Sequence, residues 1–239
     1  MKTIIITAIL LNFFLPASAS DIESLKNIEF SNGFSVTIQN EYVPQPHEML
    51  IEETKASDPG RTLTQGETAI LTEIFGSGVD DSRVRIHNRK YAFFQPSQTV
   101  MAPNGNIYYP PGHPWYSHDY SLSYHAGSRR GNFIHEMTHV YQHQQGVSVI
   151  NRRLEEGGIY DYRIEPGKDL NDYTVEQQAD IVKDYAYCRS SYADDPSRCS
   201  GRFSPALDNF IKNPNYLRKA EQERLERLNA QTTGTTYQP

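Results

Sequence analysis

The apolar positions of this chain form one dense run near the start and a series of periodic patches after it. Ile4 to Leu15 is apolar except at Thr7 and Asn12; Lys2 precedes it, and Ala17-Ser18-Ala19 follows Pro16. A charge, a short apolar run and a small-residue site, in that order, read as a secretory signal with cleavage expected after Ala19. The run is too short to span a bilayer, and no later run is long enough to do so. Residues 20–60 read as an irregular lead-in, broken by Pro44, Pro46 and Pro59, with one strand signal where Phe34, Val36 and Ile38 alternate.

A helical period begins after Thr64. Thr64 and Glu67 form a capping-box signature, Ile70, Leu71, Ile74 and Phe75 share one face, and Gly76 and Gly78 stop the element. Val84, Ile86 and Tyr91-Ala92-Phe93-Phe94 read as short strands. Asn104-Gly105 predicts a turn between Thr99-Val100-Met101 and Ile107-Tyr108-Tyr109. Residues 110–130, with Pro110, Pro111, Pro114 and Trp115, read as a loop. A helix follows from Ser128 to Gln145, ended by Gly146, with Phe133, Met137 and Val140 on its apolar face. Thr174 and Gln177 repeat the capping box and open a helix towards Tyr187, with Ala179, Val182 and Ala186 on one side. Leu207 to Ala230 is a charged amphipathic stretch interrupted near Pro214. The implied organisation is a signal over 1–19, the lead-in over 20–60, a main domain over 61–205, a helical segment over 206–230 and a disordered tail over 231–239.

Composition narrows the partners. The net charge of −6 argues against nucleic acid, because phosphate binding needs clustered Lys and Arg. The two cysteines, Cys188 and Cys199, bracket a turn-like stretch, so an oxidising compartment favours a disulfide between them over two free thiols. The lack of a third or fourth cysteine argues against a Cys-based zinc site.

The chemistry concentrates in His135-Glu136-Met137-Thr138-His139, an HExxH motif inside a predicted helix. Residues four apart lie on one helical face, about 5–6 Å apart, so both imidazoles can reach one tetrahedral zinc. Glu136 follows the first histidine and faces the open side of such a metal, where it can act as general base and then acid. Hydrolytic zinc sites take three protein ligands. Glu176 is the candidate third, in the first turn of the Thr174 helix, with Asp180 four residues on to orient a ligand histidine. Glu155, Glu156 and Glu165 are alternatives. His143 lies one further turn along the motif helix and reads as a solvent or supporting residue. For the oxyanion of an acyl-transfer reaction, Tyr160, Tyr162, Tyr173, His118 and His125 are candidates by type. Ile107-Tyr108-Tyr109 reads either as an edge strand receiving an extended substrate or as an ordinary half-buried strand.

The run His135-Glu136-Met137-Thr138-His139-Val140-Tyr141-Gln142, together with Glu176-Gln177-Gln178-Ala179-Asp180, resembles a gluzincin, the thermolysin-like branch of zinc peptidases. Leu71 to Phe75, Val84-Arg85-Ile86-His87 and Asn106-Ile107-Tyr108-Tyr109 extend the resemblance to small bacterial zincin-like domains linked to Rhs and Vgr elements, over about residues 64–190. The resemblance implies an α+β zincin-like fold, with a small, mostly antiparallel sheet packed on the HExxH helix. It implies one zinc per chain held by His135, His139 and Glu176, with Glu136 catalytic and Asp180 supporting. One departure is the long insert of residues 140–175 between the second and third ligands. The expectation is an exported zinc metallopeptidase, periplasmic or extracellular, that acts on peptide or protein. The rivals are a cell-wall peptide amidase or endopeptidase and a non-catalytic zincin-like binding or toxin-associated module.

Overall fold

A computed structural model describes residues 58–125, 127–213 and 215–233, and three short strands before them. These are β1 (Thr3–Ile5), β2 (Asn27–Glu29) and β3 (Ser35–Thr37). β3 lies between the other two, parallel to β1 and antiparallel to β2, inside the stretch where the alternation predicted a strand. They belong to a unit over Met1–Ser57, distinct from the unit over Asp58–Pro239. The expected signal cleavage site and most of the lead-in lie outside the described residues.

In the second unit, local sequence signals carry through to structure. Thr64 caps α1 (Gln65–Phe75) in a complete capping box with Glu67, and Gly76 ends it at φ 53°. Two long helices follow, α2 (Ser128–Gln144) and α4 (Val175–Ser191), the latter opened by the Thr174–Gln177 capping box. Between them lies α3 (Val149–Glu156), for which the periodicity offered no signal. α5 (Ser197–Lys212) and α6 (Tyr216–Thr233) complete the chain. α5 begins ten residues before the predicted Leu207, and α6 runs through Thr233 into the expected tail.

The core forms where the apolar faces meet. α2 and α4 share the most extensive helix–helix face. Phe133, Met137, Val140 and Tyr141 of α2 and Ile181 and Val182 of α4 are fully buried there. α5 adds Phe203, Leu207 and Phe210 to the same core, and Phe75 of α1 packs on Tyr141 and Phe210 with ring centroids 5.6 and 5.9 Å away. Each such side chain contributes about 1.5–3 kcal/mol by leaving water. The Cys188–Cys199 disulfide joins α4 to α5 across a Cα separation of 5.8 Å.

The sheet differs from expectation. β4 (Ile86–His87) and β5 (Ile107–Tyr108) pair in parallel, with Ile107 N–H donating to Arg85 O and Tyr109 N–H to His87 O, both at 2.9 Å. Among the described residues of this second unit, antiparallel pairing is confined to single bridges, Arg61 with Ile86 and Met101 with Tyr108. The second bridge is the product of the Asn104-Gly105 turn, where Gly105 sits at φ 83°. Parallel pairing follows from the connection, because the chain from β4 to β5 makes a long crossover instead of a tight hairpin. Tyr91–Phe94 is not a strand. The buried Gln95 side chain accepts from Tyr91 N–H at 2.6 Å and donates to Thr99 O and Tyr108 O, so this run wraps around an amide and leaves Phe93 exposed. Tyr108 is bonded on both sides, by β4 and by Met101, so the free edge considered for an extended substrate does not exist here.

Candidate metal centre

The α2–α4 face that builds the core also carries a polar cluster towards the start of α4. His135 and His139 project from one face of α2, and their Nε2 atoms are 3.2 Å apart. Glu176, in the first turn of α4, brings Oε2 to 3.2 Å from each of them. Three atoms thus form a triangle with equal edges. Ligands of a tetrahedral zinc, bonded at 2.0–2.1 Å, stand about 3.3–3.4 Å apart, so the triangle fits one ion with little adjustment. Among the described residues, this is the one group of three or more His, Cys, Asp or Glu side chains with ligand atoms mutually close enough for a metal.

The surrounding hydrogen bonds decide what the triangle presents. Asp180 Oδ1 lies 2.8 Å from His135 Nδ1 and, being a carboxylate, accepts its proton. Gln142 Oε1 lies 2.8 Å from His139 Nδ1. The Gln142 amide is oriented by its Nε2, which donates to Val175 O at 3.0 Å and Gln178 Oε1 at 2.8 Å, so its oxygen must face the histidine. In their neutral form both rings therefore hold their hydrogen on Nδ1 and turn a lone pair on Nε2 towards Glu176. Three electron-pair donors at 3.2 Å repel one another unless a cation lies among them. That donor set, with both histidines oriented from behind, is the arrangement metal-binding histidines require.

Without a metal, a proton on His135 takes that place. Burial disfavours the His135 cation, yet hydrogen bonds to Asp180 and Glu176 outweigh it and push its pKa up to about 9. Burial likewise works against the Glu176 anion, but the two histidines and the nearby Arg153 charge win and hold its carboxyl well below the usual range. Glu136 is different. It is 5% exposed, its carboxylate makes no hydrogen bond among the described residues, and burial pushes its pKa up. It lies beside the triangle and is not a member of it.

Of the oxyanion candidates, Tyr160 lies against the triangle. Its ring stacks against His135 at 6.1 Å and 20°, and its hydroxyl accepts from Arg153 Nη2 at 3.0 Å. Burial and the Glu176 charge push that phenol up to about 12. Tyr162 is committed elsewhere, donating to Asp184 Oδ2 at 2.7 Å. His125 is buried against Ser117 Oγ at 2.9 Å. The hydroxyl of Tyr173 is tied to Arg163 O and Glu165 N. The alternative third ligands are also engaged: Glu155 with Arg224, Glu156 with Arg152 and the N–H of Val175, and Glu165 with Lys168. His143 stands outside the cluster, against Gly105.

Two residues of the centre escaped sequence reasoning. Gln142 lies three positions after His139, a spacing that places it on the same helical face and could have flagged it. Arg153, whose Nε is 3.0 Å from Glu176 Oε1, sits on the unpredicted α3 and carries no local signal. Beside the centre opens a cleft of about 720 Å³ whose walls include Tyr160, Asp180, Arg163, Asp184 and Arg202.

Fold and site together define an α+β domain with a two-helix His–His–Glu centre and an adjacent buried glutamate. No family model matches the chain. It is 40% identical over 161 residues to the type VI secretion system spike protein VgrG2b of Pseudomonas aeruginosa, a match covering 64% of this chain and 15% of that protein's length. The solved effector domain of Pseudomonas aeruginosa VgrG2b is similar at a TM-score of 0.54 and 37% identity, over 66% of this chain and 92% of that domain. The chain belongs to the family of the VgrG2b effector domain.

Proposed function

We propose that this chain is a zinc-dependent hydrolase of peptide bonds. The single observation that carries the reading is the 3.2 Å triangle of His135, His139 and Glu176 with Glu136 buried and unbonded beside it. A bound zinc would supply Lewis-acid chemistry, lowering the pKa of water towards about 7 and polarising the scissile carbonyl. Glu136 would take the proton of the attacking water and pass it to the leaving amine, a role suited to a carboxylate whose basicity burial has raised. Tyr160, held by Arg153 donating to its oxygen, would turn its own O–H from Glu176 to the developing oxyanion. Asp180 and Gln142 would hold the two imidazoles in register.

A second reading, a toxin-associated module, is favoured by membership of an effector-domain family. The two are compatible, since hydrolysis is one way for such a module to act. They part only if the module is non-catalytic. Export is part of the proposal. It is supported by the signal-like start, the Cys188–Cys199 disulfide and the secretion-system context in the relative's name. Among the described residues, no helix is long and apolar enough to cross a membrane.

The test is elemental analysis of the purified chain together with digestion of casein and of purified peptidoglycan, for wild type and Glu136→Gln. We expect about one zinc in both proteins and hydrolysis lost by about 10²–10⁴-fold in the variant. A zinc-loaded wild type that digests neither substrate, and behaves as Glu136→Gln does, would favour the non-catalytic module. Peptidoglycan cleaved and casein spared would assign the cell-wall rival.

A further inference from the structure

We propose that Arg153 is a positioning residue of the metal centre: it reserves one oxygen of Glu176 for the histidine pair and aims the Tyr160 hydroxyl at the same place. The inference rests on the metal-dependent reading above and deepens it.

Arg153 spends its guanidinium on two groups at once. Its Nε lies 3.0 Å from Glu176 Oε1, whereas Oε2 is the oxygen 3.2 Å from both histidines. Its Nη2 donates to Tyr160 Oη at 3.0 Å. The torsion that spins a glutamate carboxylate is broad and roughly two-fold, so an untethered Glu176 could offer either oxygen or both. Occupying Oε1 removes that freedom. A hydroxyl that accepts from Arg153 also keeps its own hydrogen for another acceptor, and the acceptor it meets is the Glu176 carboxylate of the centre. The hydrogen bond to Tyr160 and the ion pair to Glu176 come from one rigid planar guanidinium, which fixes Tyr160 and Glu176 relative to each other.

The backbone is shaped for this clamp. α3 ends where Gly157 N–H donates to Arg153 O, with Gly157 in the left-handed conformation at φ 82°. Gly158 follows at φ 62°, and a Cβ there would come within 3.4 Å of Arg153 Nε. The pair of glycines turns the chain back so that Tyr160 returns over a side chain seven positions earlier, with the guanidinium 5.9 Å from its ring centroid. Among the described residues, Glu176 is the one carboxylate paired with Arg153, and it is 2% exposed although Arg153 itself is 43% exposed.

Arg153→Lys is the decisive variant, because it keeps the charge and stem but loses the fork. Arg153 is partly exposed, so folding should survive, and circular dichroism checks it. The primary readouts are zinc affinity by chelator competition and the visible absorption of the cobalt-loaded protein, with kcat and KM on labelled casein as the third. We expect zinc affinity to fall about 10-fold or more, the cobalt bands to shift as Glu176 turns, and kcat to fall with KM nearly unchanged. In a Tyr160→Phe background, Arg153→Lys should cost little further kcat yet the same zinc affinity. A folded Arg153→Lys protein with wild-type zinc affinity and an unchanged cobalt spectrum overturns the proposal. A folded wild type that binds neither zinc nor cobalt instead overturns the metal reading, and this inference with it.

Discussion

Two buried glutamates of this molecule, each at the start of a helix capped by threonine and each paired with an arginine, do opposite things. Glu67, at the third position of α1, is fully buried and satisfied from within. It accepts from Arg61 through both oxygens at 2.8 and 2.7 Å, from Thr64 N–H at 2.8 Å and from Tyr120 N–H at 2.9 Å. Glu176, at the second position of α4, has one oxygen on Arg153 and the other against two imidazole lone pairs. The difference is one step of helical register. The third-position side chain turns back onto the cap, a place that Gln177 takes in α4. The second-position side chain is left to face α2. A buried carboxylate that meets only donors holds the fold together; one set 3.2 Å from two imidazole nitrogens is the one we propose to bind a cation.

The largest expected effect that tests this contrast is metal linkage. Zinc at about a thousand times its dissociation constant should stabilise the wild type by about 4 kcal/mol against denaturant, and should do nothing measurable for His139→Ala. Zinc also competes with a proton for His135. Burial opposes that proton, but Asp180 and Glu176 raise the pKa to about 9, above the ordinary value near 6.5. Between roughly pH 7 and 9 the affinity should therefore rise with pH, by up to about tenfold per unit, and flatten above. Calorimetry across that range checks it, and a pH-independent affinity would exclude His135 as a ligand.

Next in size is Glu67→Gln. It leaves the Arg61 charge unpaired in a buried network and should cost about 3 kcal/mol of stability while leaving zinc affinity untouched. Denaturant melts and zinc titration on the same preparation check both halves. Loss of zinc in a folded Glu67→Gln protein would erase the contrast between the two carboxylates.

The smallest effect concerns the groups behind the imidazoles. Asp180→Leu and Gln142→Leu should each retain zinc but weaken it by about 10–100-fold, because the rings lose their orienting acceptor. Equal effects are expected although one acceptor is charged and the other neutral, if orientation is what matters. A much larger loss for Asp180→Leu, matched by Asp180→Asn, would show that charge dominates.

What the amino-acid sequence determined by itself was everything written within a few residues. Thr64 with Glu67 and Thr174 with Gln177 specified where two helices start, and Gly76 specified where the first ends. The spacing of Phe133, Met137 and Val140 specified which face of α2 is buried, and so where His135 and His139 must point. These are contacts over one helical turn, so the chain encodes them without reference to the rest of the molecule. Tertiary structure alone decided the parallel pairing of Ile86–His87 with Ile107–Tyr108, the helix at Val149–Glu156 and the placing of Tyr160, and not Tyr162 or His125, against His135. It also decided the orientation of the Gln142 amide, which depends on Val175 and Gln178 more than thirty positions away. The physical reason is common to all of these. Such contacts join groups far apart in sequence, and their energies appear only after α2 and α4 have packed, when burial makes every unmatched lone pair costly.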